Sequence, residues 1–230
     1  MEKLPSKYIF DKIKPAIEKY SENALLRIAI SEIPIIGSPL DIFLTTKAQK
    51  IINDRIMSLF SELKEEMSTL EDRMVDKDYI DSEEFIELFI KTIEASTKTR
   101  NKEKIKLYAK LLKGAIKFQD RKKYSPEEYL QVLSELTIKE LEVAKAIYRQ
   151  QRQERRKDEN ELEWALRYGW EELEKECPSI PEEDFRFIFL RLRKSGLIQD
   201  LQNSYFYSKK VVFVISDVFR KIMKYLEQSE

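Results

Sequence analysis

The spacing of hydrophobic residues changes its period within residues 181–226, and this change constrains the fold more than any other feature of the chain. Apolar residues three and four positions apart predict a helix over residues 181–194. Gly196 then stands where a helix commonly ends on a residue with positive φ. Because the rest of the 230-residue sequence is almost entirely helical in pattern, a mainly α-helical protein is expected.

Two short β-like runs follow this glycine. Leu197 and Ile198 begin the first predicted strand, and residues 205–215 are rich in aromatic and β-branched residues, which favour one strand or two. Residues 202–204 supply turn chemistry between the runs. Ser216 is placed to cap a closing helix. The segment therefore predicts one small β-hairpin between two helices.

The composition narrows the chemistry available to this chain. Lys+Arg 42 balances Asp+Glu 42, so no global charge attracts nucleic acid, although a local basic face stays possible. The chain has no histidine, which removes the commonest general base. Its one cysteine, Cys177, cannot form an internal disulfide or a thiolate zinc site. Without a nucleotide-binding or nucleophile motif, we expect a non-enzymatic protein with no cofactor and no bound metal.

A basic, polar run over residues 120–126 marks the expected boundary between two domains. Residues 1–124 are predicted to form a helical domain that oligomerises or senses a signal. Its longest helix is expected from Ile42 to about Leu70, with Asp41 as its cap. Residues 125–230 form the second predicted domain, which begins at a helix start with Pro126 in the first position.

Within the second domain, Thr137 and Glu140 predict a capping box at the start of a helix. The polar run over residues 150–160 indicates a solvated helix end or a loop. The order of three helices, a hairpin and a closing helix over residues 137–226, with the phrase LRLRKSGLI at residues 190–198, resembles a winged-helix domain. In that family the third helix commonly enters the DNA major groove, and the wing contacts the backbone or minor groove. The resemblance implies a binding module.

Basic residues around this third helix predict contacts to the phosphates of duplex DNA. They are Arg186, Arg191, Arg193 and Lys194 on the helix, Lys209 and Lys210 on the wing, and Arg155 and Arg156 in the loop before the second helix.

The start of the same helix favours a different partner. Glu182, Glu183 and Asp184 form its first turn, where carboxylates repel phosphates and also complement the helix dipole. The alternative hypothesis is therefore a docking or dimerisation surface for protein. A homo-oligomer is expected under either hypothesis.

Residues 125–148, SPEEYLQVLSELTIKELEVAKAIY, are similar to a junction in bacterial abortive-infection proteins of the alpha type. This similarity implies a bacterial protein with a regulatory or defence-associated role, and it transfers no catalytic residue.

The most apolar stretch, residues 24–44, has nearly the ~20 residues of a membrane span. It contains Arg27, Glu32 and Asp41 and is interrupted by prolines, which favours two buried helices joined by a turn. A second alternative is a membrane-active effector that inserts this stretch, but a membrane is not the expected partner. The opening residues lack the apolar run of a signal peptide, so a cytoplasmic protein is expected.

Overall fold

The computed structural model describes residues 39–117, 125–151, 170–200 and 213–228, together with residues 158, 160, 163 and 165. Over these residues the chain is mainly α-helical with one small antiparallel sheet of two strands, as the sequence predicts. The chain divides into two compact units between Leu130 and Gln131. The boundary predicted after residue 124 precedes the helix that begins at Pro126, whereas the observed division falls inside that helix.

In the part of the first unit that the structure describes, the elements are α1 to α4 and the start of α5. Their bounds are α1 (Pro39–Ser68), α2 (Lys77–Ile80), α3 (Glu83–Lys98), α4 (Lys102–Ile116) and α5 (Pro126–Glu135), with a short 3-10 turn over Asp72–Met74. The side chain of Ser82 caps α3 by accepting from the Phe85 amide at 3.2 Å. The side chain of Asn101 caps α4 in the same way. Caps of this kind satisfy amides that have no helical acceptor in the first turn of a helix.

The first described helix corrects the predicted start. It begins at Pro39 rather than Ile42, and Asp41 lies inside it instead of capping it. Proline suits the first turn because that turn has no helical acceptor for its amides. The earlier part of the apolar stretch over residues 24–44 lies outside the described residues. Among the helices that are described, none combines the length and apolar character needed to cross a membrane.

In the first unit, α1 packs against α3 and α4. Leu59 and Leu63 of α1 are buried, and the ring of Phe89 lies 6.1 Å from Phe85 and 6.2 Å from Phe60. Burying a side chain of this size contributes roughly 1.5–3 kcal/mol. These contacts make the helical core that the apolar spacing predicts.

After the end of α5, the described residues of the second unit form three helices, two strands and a closing helix, in the predicted order. They are α6 (Ile138–Gln151), α7 (Trp170–Glu176), α8 (Glu182–Lys194), β1 (Ile198–Asp200), β2 (Phe213–Ile215) and α9 (Asp217–Gln228). The strands pair antiparallel, with Ile198 opposite Ile215 and Asp200 opposite Phe213. Of the β-like run over residues 205–215, only β2 is among the described residues. The predicted turn at residues 202–204 lies outside them.

Local hydrogen bonds set the ends of these elements as predicted. The Glu140 amide donates to Thr137 Oγ1 at 3.2 Å, and the Thr137 amide donates to Glu140 Oε2 at 2.6 Å, which completes the capping box before α6. Gly196 has φ of 73° just after α8. Ser216 accepts from the Phe219 amide at 3.1 Å and caps α9. All three predictions are confirmed.

The core of the second unit lies where α6, α8 and the sheet meet. The rings of Phe189 and Phe213 stand 4.5 Å apart, which joins α8 to β2. Tyr148 meets Phe219 edge-on at 6.2 Å, and this contact joins α6 to α9. Aromatic pairs of this kind add about 0.5–1.5 kcal/mol beyond their buried area. The packing holds α8 with one face buried and the opposite face turned to solvent.

Candidate functional site

Helix α8 has one apolar face in the core and two further apolar residues outside it. Its buried residues are Phe185, Ile188, Phe189 and Leu192. Phe187 is 62% exposed and Leu190 is 47% exposed. The sequence contained a signal for this exposure, because neither residue belongs to the stripe of three-and-four spacing. Neither residue is among the binding residues predicted from the sequence.

The structure brings four of the predicted DNA-contacting residues together on α8, but two of them face buried carboxylates. Arg191 Nε donates to Glu140 Oε1, and the Glu140 side chain is only 2% exposed. Arg193 lies 3.8 Å from Asp200, whose side chain is 4% exposed. Arg186 is exposed. The fourth of these residues, Lys194, is exposed as well.

Arg191 also contacts the exposed ring of Phe187. Its guanidinium carbon lies 5.8 Å from the ring centroid, within the range of a cation–π contact. Glu140 therefore holds Arg191, and Arg191 covers one side of Phe187. This chain of contacts starts at the capping box of α6 and restrains the orientation of Phe187 on the surface of α8.

The first turn of α8 carries three carboxylates. Asp184 forms an ion pair with Lys139 at 2.5 Å. Glu182 and Glu183 are both exposed. Along its length, the exposed surface of α8 carries acidic residues first, then Arg186, Phe187 and Leu190, and then further basic residues. Of the remaining predicted contacts to DNA, Lys209, Lys210, Arg155 and Arg156 lie outside the described residues.

A buried glutamine that is not among the residues predicted from the sequence holds β2 in place. Gln151 Nε2 donates to the Phe213 carbonyl at 2.8 Å, and Gln151 Oε1 accepts from the Ile215 amide at 2.8 Å. The side chain thus provides the donor and the acceptor that a further strand would provide. For Gln150 and Gln151 the predicted solvated helix end or loop is wrong, because both residues are buried within α6.

Cys177 has the properties of a structural thiol. It is buried, and burial, followed by the charges of Glu142 and Glu176, raises the pKa of the thiol to about 11. Very little thiolate exists at neutral pH under these conditions, so the residue is a poor nucleophile.

The first unit contains an acidic cleft of about 570 Å³ at the N-terminal ends of α3 and α5. Its carboxylates are Glu83, Glu84, Glu87, Glu127 and Glu128. Lys91 lies 3.2 Å from Glu127 and 3.7 Å from Glu87, and hydrogen bonding and charge from Glu127 raise the pKa of Lys91. Across the described residues, no three carboxylate or cysteine side chains converge as metal ligands.

A buried ion pair in the same unit joins α1 to α4. Lys113 Nζ lies 3.1 Å from Glu66 Oε2, with side-chain exposures of 2% and 11%. Burial, followed by the charge of Lys113, lowers the pKa of the nearby Lys117.

The outer face of α8 stands out among the described surfaces because it combines exposed aromatic, aliphatic and charged residues. Comparison with known proteins gives no match to this chain from a family model, a curated protein or a solved structure.

Proposed function

We propose that this chain is a non-enzymatic interaction protein whose second unit is a winged-helix-like module that binds another protein through the outer face of α8. The observation that carries the proposal is the exposure of Phe187 and Leu190 at the middle of this helix. Aromatic residues are enriched in the cores of protein interfaces, where charged residues are depleted.

The order of elements supports the winged-helix part of the proposal. Helices α6, α7 and α8 are followed by the β1–β2 pair and by α9. In this arrangement α8 is the third helix, which DNA-binding members of the fold insert into the major groove. The similarity of residues 125–148 to abortive-infection proteins supports a regulatory or defence-associated role in bacteria.

The charges on α8 favour protein over nucleic acid as the partner. Arg191 and Arg193 face the buried carboxylates of Glu140 and Asp200, which offset part of their positive charge. Glu183 and Phe187 lie on the outer face of the first half of α8, the half that approaches bases in helix-turn-helix docking. A carboxylate and a phenyl ring at these positions suit contact with a protein better than contact with phosphates.

Site-specific photocrosslinking tests this proposal. Benzoylphenylalanine in place of Leu190 should give a crosslinked product with another polypeptide in cells. The matched control carries the same group in place of Val218 of α9, which is 53% exposed, and should give none. No crosslink from position 190 above the control, or a product that nuclease digests, would contradict the proposal.

Duplex DNA remains a second candidate because α8 also carries exposed basic residues. The exposed Arg186 and Lys194 make the cleanest test, with Lys221 and Lys224 of α9 as matched exposed controls. If α8 binds phosphates, the R186A/K194A double variant should weaken binding and reduce the salt slope by about 1 per lost contact. Binding that does not change in this variant excludes α8 as the DNA-contacting element.

A further inference from the structure

Four exposed residues form a single stripe along the outer face of α8. Glu183, Phe187, Leu190 and Lys194 are separated by four, three and four positions. This spacing is that of the a and d positions of a coiled coil, so the four side chains follow one seam. We refer to these four residues as the α8 seam. It has a carboxylate at one end, two apolar side chains in the middle and an ammonium group at the other end.

The α8 seam is complementary to itself in the antiparallel direction. Its two charged residues are equally distant from the midpoint of the helix segment, between residues 188 and 189, and so are its two apolar residues. When two copies meet about a twofold axis through this point, Glu183 faces Lys194 of the second copy. Phe187 then faces Leu190 of the second copy. A symmetric contact of this type makes each pairing twice.

The flanks of the seam affect such a pairing in opposite ways. On one flank, Asp184 comes close to Arg191 of the second copy. These charges attract, and the attraction is weakened because Asp184 pairs with Lys139 and Arg191 pairs with Glu140 within each chain. On the other flank, Arg186 comes close to Arg193 of the second copy, and these charges repel. The carboxylate of Asp200, 3.8 Å from Arg193 in its own chain, weakens this repulsion.

We infer that the partner of α8 is a second copy of this chain, bound through antiparallel pairing of the two α8 seams. This inference rests on the proposed function of α8 as a protein-binding helix and names the partner. A single pair of helices buries less than the roughly 1,600 Å² of a standard interface. We therefore expect a reversible dimer with a Kd on the order of 10–100 μM.

Sedimentation velocity of the full chain over a range of concentrations measures this equilibrium. Phe187→Asp places two carboxylates in the apolar centre of the dimer and should weaken association by about 100-fold or more. Val218→Asp introduces the same charge at an exposed apolar residue of α9 and should leave the Kd unchanged. Circular dichroism confirms that both variants remain folded. A wild-type chain that is monomeric up to about 1 mM overturns the inference.

A charge exchange tests the antiparallel arrangement itself. Glu183→Lys or Lys194→Glu alone turns two attractive pairs into two repulsive pairs and should raise the Kd by about tenfold. The double variant E183K/K194E restores both pairs with reversed polarity and should return the Kd to within about threefold of wild type. A double variant as weak as either single variant overturns the antiparallel seam.

Arg186→Gln separates self-association from nucleic-acid binding. It removes the repulsion with Arg193 of the second copy, so it should tighten the dimer by about twofold to fivefold. On a DNA-binding helix the same change would weaken binding. A crosslink from position 190 to a different protein, with the purified chain monomeric, overturns self-pairing but preserves the proposed function. No crosslink to any polypeptide overturns both.

Discussion

Replacing Gln151 by glutamate should destabilise the second unit at pH 7, and this loss relative to wild type should shrink as the pH falls. Gln151 is 1% exposed, and its amide donates to the Phe213 carbonyl and accepts from the Ile215 amide, each at 2.8 Å. An ionised carboxylate can keep only the bond from Ile215, and it repels the Phe213 carbonyl. A protonated carboxyl can keep both bonds.

The free energy of protonation limits the size of the effect. At pH 7, protonating a carboxyl with the ordinary glutamate pKa of about 4.3 requires roughly 3.7 kcal/mol, at about 1.4 kcal/mol per pH unit. The ionised form instead leaves a buried carbonyl without its donor, at about 1–3 kcal/mol, and also buries an unpaired charge. Since the folded protein adopts the less unfavourable form, we expect a loss of about 3–4 kcal/mol at pH 7.

The direction of the pH dependence follows from the shifted pKa. Burial raises the pKa of the introduced carboxyl in the folded variant above its unfolded value, so the protonated form is favoured by folding. The contribution of this protonated carboxyl to the free energy of unfolding is fully present below pH ~4.3 and is lost as the pH rises through the folded pKa. The difference in unfolding free energy from wild type should therefore shrink to about 1 kcal/mol near pH 4.5.

Urea unfolding followed by tryptophan fluorescence measures this difference, because both tryptophans, Trp164 and Trp170, belong to the second unit. Gln199→Glu is the matched control: Gln199 is exposed in β1, and the change should stay within about 0.5 kcal/mol at either pH. A Gln151→Glu variant with the same loss at pH 4.5 and pH 7, or with no loss at pH 7, would refute the assignment of the amide as the anchor of β2.

Three further predictions concern other buried or strained groups. Cys177, with a thiol pKa of about 11 against 9.0 unperturbed, should react with a thiol reagent at pH 8 at least about 100-fold more slowly in the folded chain than in urea; equal rates would contradict its burial. Glu66→Ala should lower stability by about 3–5 kcal/mol because it leaves the Lys113 ammonium buried without its carboxylate, and E66L/K113M should recover most of that loss in urea unfolding. Gly196→Ala should lower the thermal midpoint because alanine at φ 73° carries about 1–2 kcal/mol of backbone strain. An added Cβ meets no atom within 4 Å, so no steric clash adds to this strain; no change in the midpoint would refute this.

The sequence predicted local features of the fold well because they depend on neighbouring residues. The capping box of Thr137 and Glu140, the cap at Ser216 and the positive φ of Gly196 each involve groups within a few positions of one another. The helical class followed from periodicity for the same reason. The start of α1 at Pro39 was missed because Asp41 is a good capping residue. The sequence pattern does not decide between a helix that begins at Pro39 and one that begins after Asp41.

The candidate site on α8 could be predicted only in part, because the ion pairing and burial of its side chains depend on residues far away in the sequence. Glu140 and Arg191 are 51 positions apart, and Gln151 and Phe213 are 62 positions apart. A basic residue on a helix looks the same in sequence whether it faces solvent or a buried carboxylate. A polar residue at the end of a helix likewise gives no indication that a strand edge covers it. The exposed pair Phe187 and Leu190 was within reach of periodicity, since neither belongs to the core stripe.

The pairing of Arg191 with Glu140 decides which residues can test DNA binding. The Glu140 carboxylate is 2% exposed, so Arg191→Ala would leave it without its cation and would destabilise the start of α6 as well as the surface of α8. Loss of DNA binding in that variant could therefore result from altered folding. Arg186 and Lys194 are exposed, and their replacement should leave stability within about 0.5 kcal/mol of wild type. A change in DNA affinity at these two residues, in either direction, thus reports on the interface itself.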